Sequence, residues 1–377
     1  MRLKIPINGI EGEVTRDTLL IKSKNPLKVL SSAVLNGGPK DARVIINHRV
    51  IKRFKVKESR RILERVALSL NLNPKDVVGL MTGADVMKAA IVSKTYKRLV
   101  VSSIVTAGIS NTAAAGNSLK KSFSSGTINI IALVNASLTE NCSINAIQTI
   151  TEAKCMALRD LDIRSRFSKG TASGTTTDAI VLASKNDGKK IDYAGTATKL
   201  GELIGKSVRE AVKNAIFAQE KLLPNRPLFH RLRERGIQPK ALFNTAMKLC
   251  SHCRSAGFKK EIVKVLREEF EKALSDVNAA SLIIAGLRLD EDGRNELIPG
   301  LNSKIFNEDP AFLIADEILG ITLSNYIAGT KGIFEYLKFC RLKPKFLKRL
   351  GPFTDDVVGG LIAGVSSKAH LRVSLEG

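Results

Sequence analysis

Apolar residues recur with two different periods along this chain, and the change comes near residue 223. Before it, short runs rich in β-branched residues at 42–47, 99–106, 128–134 and 179–183 predict strands. Helical stripes lie between them. Ile62, Leu63, Val66, Ala67 and Leu70 share one face over 58–70, and 144–161 and 199–221 predict two further helices. Beyond residue 240, the segments 258–274, 310–327, 333–339 and 355–365 are helical in period, and no run reads convincingly as a strand. The expected fold is two domains: an N-terminal α+β domain with mixed strands and helices over 1–222, and a C-terminal all-α helical domain over 240–377. Three prolines, Pro224, Pro227 and Pro239, punctuate the basic segment 223–239. Each blocks a continuous helix, so this segment is expected to be an interdomain linker.

Length and composition agree with that division. A chain of 377 residues is long for one domain, and a 44% hydrophobic share supplies real cores. The apolar runs at 128–134 and 357–365 are too short to span a bilayer, and Met1-Arg-Leu-Lys-Ile-Pro6 lacks the apolar stretch of a signal peptide. Five cysteines, odd in number and sparse, point to a reducing compartment and hence a cytoplasmic location.

The net charge of +24 is unevenly spread: residues 1–239 carry 40 basic against 19 acidic side chains, and residues 240–377 carry 20 against 17. A basic balance is the usual flag for nucleic acid. Yet there is no Trp, only four Tyr, and no zinc-finger or helix-turn-helix signature. A positive surface suited to an anionic small molecule explains the charge as well. Small-molecule substrates are therefore expected, with no nucleic-acid partner and no membrane span; the sequence leaves the oligomeric state open.

The candidate chemistry of the first half sits in loops. Residues 170–178 read Gly-Thr-Ala-Ser-Gly-Thr-Thr-Thr-Asp immediately before an apolar run, and Gly108-Ile-Ser-Asn111 and Gly126-Thr-Ile-Asn129 precede it. Glycine lets a backbone approach a ligand closely, and hydroxyl and N–H groups supply short hydrogen bonds. Three such loops flanking apolar runs suggest one ligand cleft, ordinary turns being the alternative for any one alone. Glu152 and Asp178 are candidates to activate water, with Asn111 and Asn129 stabilising an oxyanion. Gly126, Thr127, Gly174, Thr175 and Thr177 are candidates to contact substrate. Equally, Glu152 and Lys154 could lie on a solvated face and Asp178 cap a loop. His48, in a strand-like run, reads as structural, and Cys142 and Cys155 read as packing residues.

In the second half two acidic pairs, Asp316-Glu317 and Asp355-Asp356, interrupt apolar helices. Burying carboxylates is costly unless they are compensated, and a hard divalent cation is the simplest compensation. All four are candidate ligands for Mg2+, with Lys331, Arg341 and Lys343 as candidate phosphate-binding cations. Together they form a constellation for phosphoryl hydrolysis. The alternative for Asp355-Asp356 is a helix N-terminus favoured by the dipole. Cys250-Ser-His-Cys253, lacking a second ligand pair, is a weak zinc signal.

Five ordered segments carry a family likeness: Leu30-Ser-Ser-Ala-Val-Leu-Asn-Gly-Gly38, Gly108-Ile-Ser-Asn111, Gly126-Thr-Ile-Asn-Ile130, Thr151-Glu-Ala-Lys154 and Gly174-Thr-Thr-Thr-Asp178. Over roughly 1–220 they closely resemble the adenosylcobinamide amidohydrolase family. The resemblance implies hydrolysis of the amide joining the corrin ring to its aminopropanol arm, giving adenosylcobyric acid for cobamide salvage. Over roughly 240–370, the segments 309–320, 325–329, Lys343-Pro344 and 355–364 resemble the archaeal α-ribazole phosphatase family, itself similar to phosphatidylglycerophosphatase A. That resemblance implies dephosphorylation of α-ribazole phosphate or adenosylcobalamin phosphate. The two halves in this order resemble bifunctional enzymes of archaeal cobamide salvage. The competing expectation is a non-catalytic corrinoid- or nucleic-acid-binding domain fused to a metal-dependent phosphatase.

Overall fold

The computed structural model describes residues 1–50, 58–118, 126–250, 256–341, 344 and 346–376, without the side chains of 256–259, 375 and 376. The chain forms two compact units, Met1–Pro224 and Asn225–Gly377.

In the N-terminal unit one nine-stranded mixed sheet joins β1 (Arg2–Leu3), β2 (Ile10–Val14), β3 (Thr18–Ser31), β4 (Gly38–Arg49), β5 (Val77–Thr82), β6 (Ala90–Tyr96), β7 (Leu99–Ala107), β9 (Ile128–Val134) and β11 (Ala179–Ser184). A short antiparallel pair, β8 (Thr112–Ala113) with β10 (Gly174–Thr175), stands apart. The main order is β1-β2-β3-β11-β9-β7-β6, and β4 branches from β3 to carry β5. Among the described residues only β9–β11 and β4–β5 are parallel pairs in it. The long β3 pairs with β2, β4 and β11, and its register shifts between Lys22 and Leu27. Proline at position 26 has no N–H to offer a ladder, which suits it to that irregularity. Three helices complete the unit: α1 (Ser59–Ser69), α2 (Glu140–Asp160) and α3 (Lys199–Glu220). Thr139 and Thr198 cap the last two, each hydroxyl accepting from an N–H in the first turn.

Alternation along the strands separates three cores, the smallest of them formed by Leu20, Val44, Ile46 and Val77 with Leu63 and Ala67 of α1. On β9, Ile128, Ile130, Ala132 and Val134 pack with the buried stripes of α2 and α3. Ile131 and Leu133 face the opposite way, into a second core enclosed by β2–β5. The sheet thus curls into a nearly closed barrel, with α2 and α3 outside the β6–β7–β9 part and α1 outside β3–β5. The four strands expected from the sequence are present. β1–β3, β5, β6 and the short β8 and β10 escape it because their alternation is short or broken, as in the Ile-Glu-Gly-Glu-Val of β2.

The C-terminal unit is helical throughout its described residues: α4 (Leu228–Glu234), α5 (Pro239–Cys250), α6 (Ala256–Ser275), α7 (Val277–Arg294), α8 (Ser303–Glu308), α9 (Ala315–Arg341) and α10 (Pro352–Glu376). Its axis is α10, in which every residue from 352 to 366 is buried. The expected helices 310–327 and 333–339 are two halves of α9, separated by a kink where Ala328 and Gly329 leave helical geometry. The segment 223–239, expected as an interdomain linker, carries α4 and the first residue of α5. Pro227 and Pro239 begin α4 and α5, positions that need no N–H donor, and Leu228, Leu232 and Ile237 enter the helical core. Among the described residues no helix is long and apolar enough to cross a membrane.

Candidate active sites

One mouth of the barrel is polar. Asn47, Thr82, Thr106 and Asn129 share the strand parity of interior residues Ile45, Leu80, Ile104 and Ile131, yet lie at the strand ends, and all four are buried. Asn129 Nδ2 donates to Asn47 Oδ1 at 2.9 Å and to the Met81 carbonyl at 2.8 Å, and Asn47 Nδ2 donates to Thr106 Oγ1 at 2.9 Å. Both Asn129 amide hydrogens are thereby committed. Its Oδ1, buried and without a hydrogen-bond partner, is an acceptor of fixed orientation.

The three glycine-marked loops meet at this same mouth. Gly126 begins the turn into β9, and a Cβ there would stand 2.2 Å from Asn111 Oδ1 and 2.8 Å from Ser110 N, so only glycine lets the loops close. Asn111 Nδ2 donates to Thr176 Oγ1 at 2.6 Å, while its Oδ1 is also buried without a partner. The hydroxyls of Thr127 and Thr177 lie 2.7 Å apart, and each donates to the Gly126 carbonyl, at 2.8 and 2.9 Å.

At the convergence stands Asp178. It accepts from Ile128 N and Thr175 N at 3.1 Å and from the Thr175 hydroxyl. Lys154 Nζ donates to its Oδ2 at 2.5 Å, both side chains being about one-tenth exposed (10% and 11%). Gly174 makes room for this pair: a Cβ there would lie 2.3 Å from Asp178 Oδ2 and 2.8 Å from Lys154 Nζ.

Sequence reasoning brought Asp178, Asn111, Asn129, Gly126, Thr127, Gly174, Thr175 and Thr177 to one place, and so does the structure. Glu152 lies apart from them: it is exposed on α2, rotated about 200° from Lys154. Lys154 was missed as a site residue. Its signal was legible, because it falls on the stripe of α2 occupied by Ala146, Ile150, Ala153 and Ala157, where a lysine needs a partner. Of the other groups considered, His48 Nδ1 is 2.8 Å from the Thr18 hydroxyl. Burial pushes the Cys142 thiol up to about 11, in keeping with packing rather than nucleophilic work. Cys155 Sγ donates to the Ser173 carbonyl at 3.2 Å.

In the C-terminal unit Asp316, Glu317 and Asp356 each offer a carboxylate oxygen within 4.8 Å of the others. Asp316 is fully buried at the start of α9; its Oδ1 accepts from Glu317 N at 2.9 Å, and its Oδ2 has no hydrogen-bond partner. Burial first, then the neighbouring Glu317 side chain and the charge of Asp356, hold its carboxyl well above the usual range, against the Glu317 N–H, which alone favours the charged form. Carboxylates so crowded and an orphaned buried oxygen fit a hard divalent cation. Asp355, also buried, is outside this trio. Lys331 and Arg341 are exposed, and among the described residues no ion pair joins either to the trio. Lys343 lies outside the described residues, as do His252 and Cys253 of the cysteine motif.

The sequence pattern of adenosylcobinamide amidohydrolases matches residues 5–224, the whole span that carries the barrel and its mouth. The chain belongs to the adenosylcobinamide amidohydrolase family. An adenosylcobinamide amidohydrolase of Methanosarcina mazei is 28% identical over 214 residues, covering 54% of this chain and 96% of its own. An uncharacterized Methanocaldococcus jannaschii protein is 32% identical over 240 residues, covering 58% and 92%. Among solved structures, low temperature requirement C protein from Listeria monocytogenes is 21% identical with a TM-score of 0.35, covering 40% of this chain and 95% of that one. The amidohydrolase match ends where the first compact unit ends.

Proposed function

We propose that the N-terminal unit hydrolyses the amide between the corrin ring and the aminopropanol arm of adenosylcobinamide, yielding adenosylcobyric acid and 1-amino-2-propanol. The observation that carries this reading is the buried Lys154–Asp178 pair at the meeting point of three glycine-marked loops, inside the span matched by the amidohydrolase family. The Lys154 ammonium is the cation available to stabilise the oxyanion formed when water adds to the amide carbon. Asp178, already accepting from two N–H groups, a hydroxyl and the ammonium, holds Lys154 and the loops in place. Asn111 and Asn129 offer acceptors rather than the donors an oxyanion requires, so they suit the attacking water or the amide N–H. Glu152, on the exposed face of α2, is left out of this constellation. Lys154→Met should abolish product formation while the variant still melts cooperatively. Full activity in that variant contradicts the assignment, and corrinoid bound but uncleaved by the unmodified chain supports a binding protein instead.

For the C-terminal unit the reading is hydrolysis of a phosphomonoester, α-ribazole phosphate or adenosylcobalamin phosphate, with Mg2+ held by Asp316, Glu317 and Asp356. The orphaned Asp316 Oδ2 is the observation that supports it. A divalent cation bound there supplies charge neutralisation and polarisation of a phosphate oxygen. Phosphatase turnover that persists in excess chelator overturns the metal assignment.

A further inference from the structure

A buried tyrosine stands directly behind the acidic trio. Tyr336 lies in the second half of α9, is 1% exposed, and its hydroxyl donates to Asp356 Oδ1 at 2.7 Å. The contact depends on several unusual backbone features. The chain leaves helical geometry at Ala328, and Gly329 takes φ +61°. Gly332 then packs so closely on the first half of α9 that a Cβ there would lie 2.2 Å from the Ser324 carbonyl. The second half therefore returns beside the first, bringing Tyr336 level with Gly320, one turn beyond Asp316. A Cβ on Gly320 would stand 2.4 Å from the Tyr336 hydroxyl and 2.7 Å from the Asp356 carbonyl oxygen. On α10, a Cβ on Gly360 would come 2.3 Å from the Gly320 carbonyl. Three backbones are thus drawn together at glycines, and the polar group placed at their junction is the tyrosine hydroxyl on the Asp356 carboxylate.

Packing alone does not account for that hydroxyl, because phenylalanine would fill the same volume without a polar atom to satisfy. A donor on one carboxylate oxygen fixes the rotation of the group, as second-layer hydrogen bonds do for metal-ligating carboxylates.

We propose that Tyr336 is a positioning residue that orients Asp356 toward a divalent cation shared with Asp316 and Glu317. This rests on reading the trio as a metal site, and the test separates the two claims. Mn2+ is titrated calorimetrically into the full-length chain and into Tyr336→Phe, Asp356→Asn and the double variant, with melting followed by circular dichroism. The unmodified chain should bind Mn2+, Tyr336→Phe should keep its fold and bind at least about tenfold more weakly, and adding Tyr336→Phe to Asp356→Asn should cost no further affinity. No Mn2+ binding by the unmodified chain overturns the metal reading itself. Binding by Tyr336→Phe equal to the unmodified chain, or an undiminished further loss in the double variant, overturns the positioning role alone. Gly320→Ala tests the contact independently of the tyrosine ring if Tyr336→Phe does not fold: its methyl displaces the hydroxyl, and unchanged affinity in that variant also overturns the proposal.

Discussion

Lys154 and Asp178 are two groups that neither the interior nor the surface explains singly. An ammonium buried on an otherwise apolar helix stripe is tolerable because a carboxylate meets it at 2.5 Å, and removing one partner of such a pair costs about 3–5 kcal/mol. Asp178→Asn should therefore both lower the melting temperature of the N-terminal unit and suppress amide hydrolysis. Lys154→Met, apolar and of similar length, should suppress hydrolysis with the smaller loss of stability; thermal melts beside product assays measure both. Asp178 was visible in the sequence because it closes a run of glycine and hydroxyl residues. Lys154 was readable only by asking which face of α2 it occupies. The fixed orientation of Asn129 was not readable at all, since it depends on Asn47 and Met81, distant in sequence and brought together by the curl of the sheet.

At the scale of elements, the positions at which backbones approach each other decide the architecture. Gly320 is one: a methyl there meets the Tyr336 hydroxyl and the Asp356 carbonyl, so Gly320→Ala should destabilise the C-terminal unit by about 1–3 kcal/mol, measurable by urea denaturation. The α6–α10 contact carries a pH dependence. Burial opposes the charge of Glu269, but hydrogen bonds from Arg372 at 2.6 Å and Lys272 at 3.0 Å, with Lys368 nearby, outweigh it and hold its carboxyl below the usual range. A depressed folded value means the stabilisation is complete above the unfolded value of about 4.3 and is lost as pH falls through the folded one. Glu269→Gln should flatten the loss of C-terminal stability as pH falls below about 4.3 in denaturation curves; an unchanged slope contradicts that role. Strands with unbroken apolar runs, such as β9, and helices with clean stripes were legible in the sequence. Pro227 and Pro239 fall at the starts of α4 and α5, where proline's missing N–H costs nothing, so proline spacing alone does not show where helix is absent.

At the scale of the whole molecule, two compact units each carry their own candidate chemistry, and the family match coincides with the first. The strong positive charge of the first 239 residues is compatible with either a nucleic acid or a small-molecule role; the family assignment favours a corrinoid. If the two sites work separately, Asp316→Asn should remove phosphatase activity and spare amide hydrolysis, and Lys154→Met should do the reverse; loss of both activities in either folded variant contradicts separate sites. The measurement that bears most directly on the account is incubation of the full-length chain with adenosylcobinamide, with products identified by liquid chromatography and mass spectrometry. Adenosylcobyric acid and 1-amino-2-propanol appearing in equal amounts is the predicted result. Adenosylcobinamide recovered intact after incubation with folded protein would contradict it.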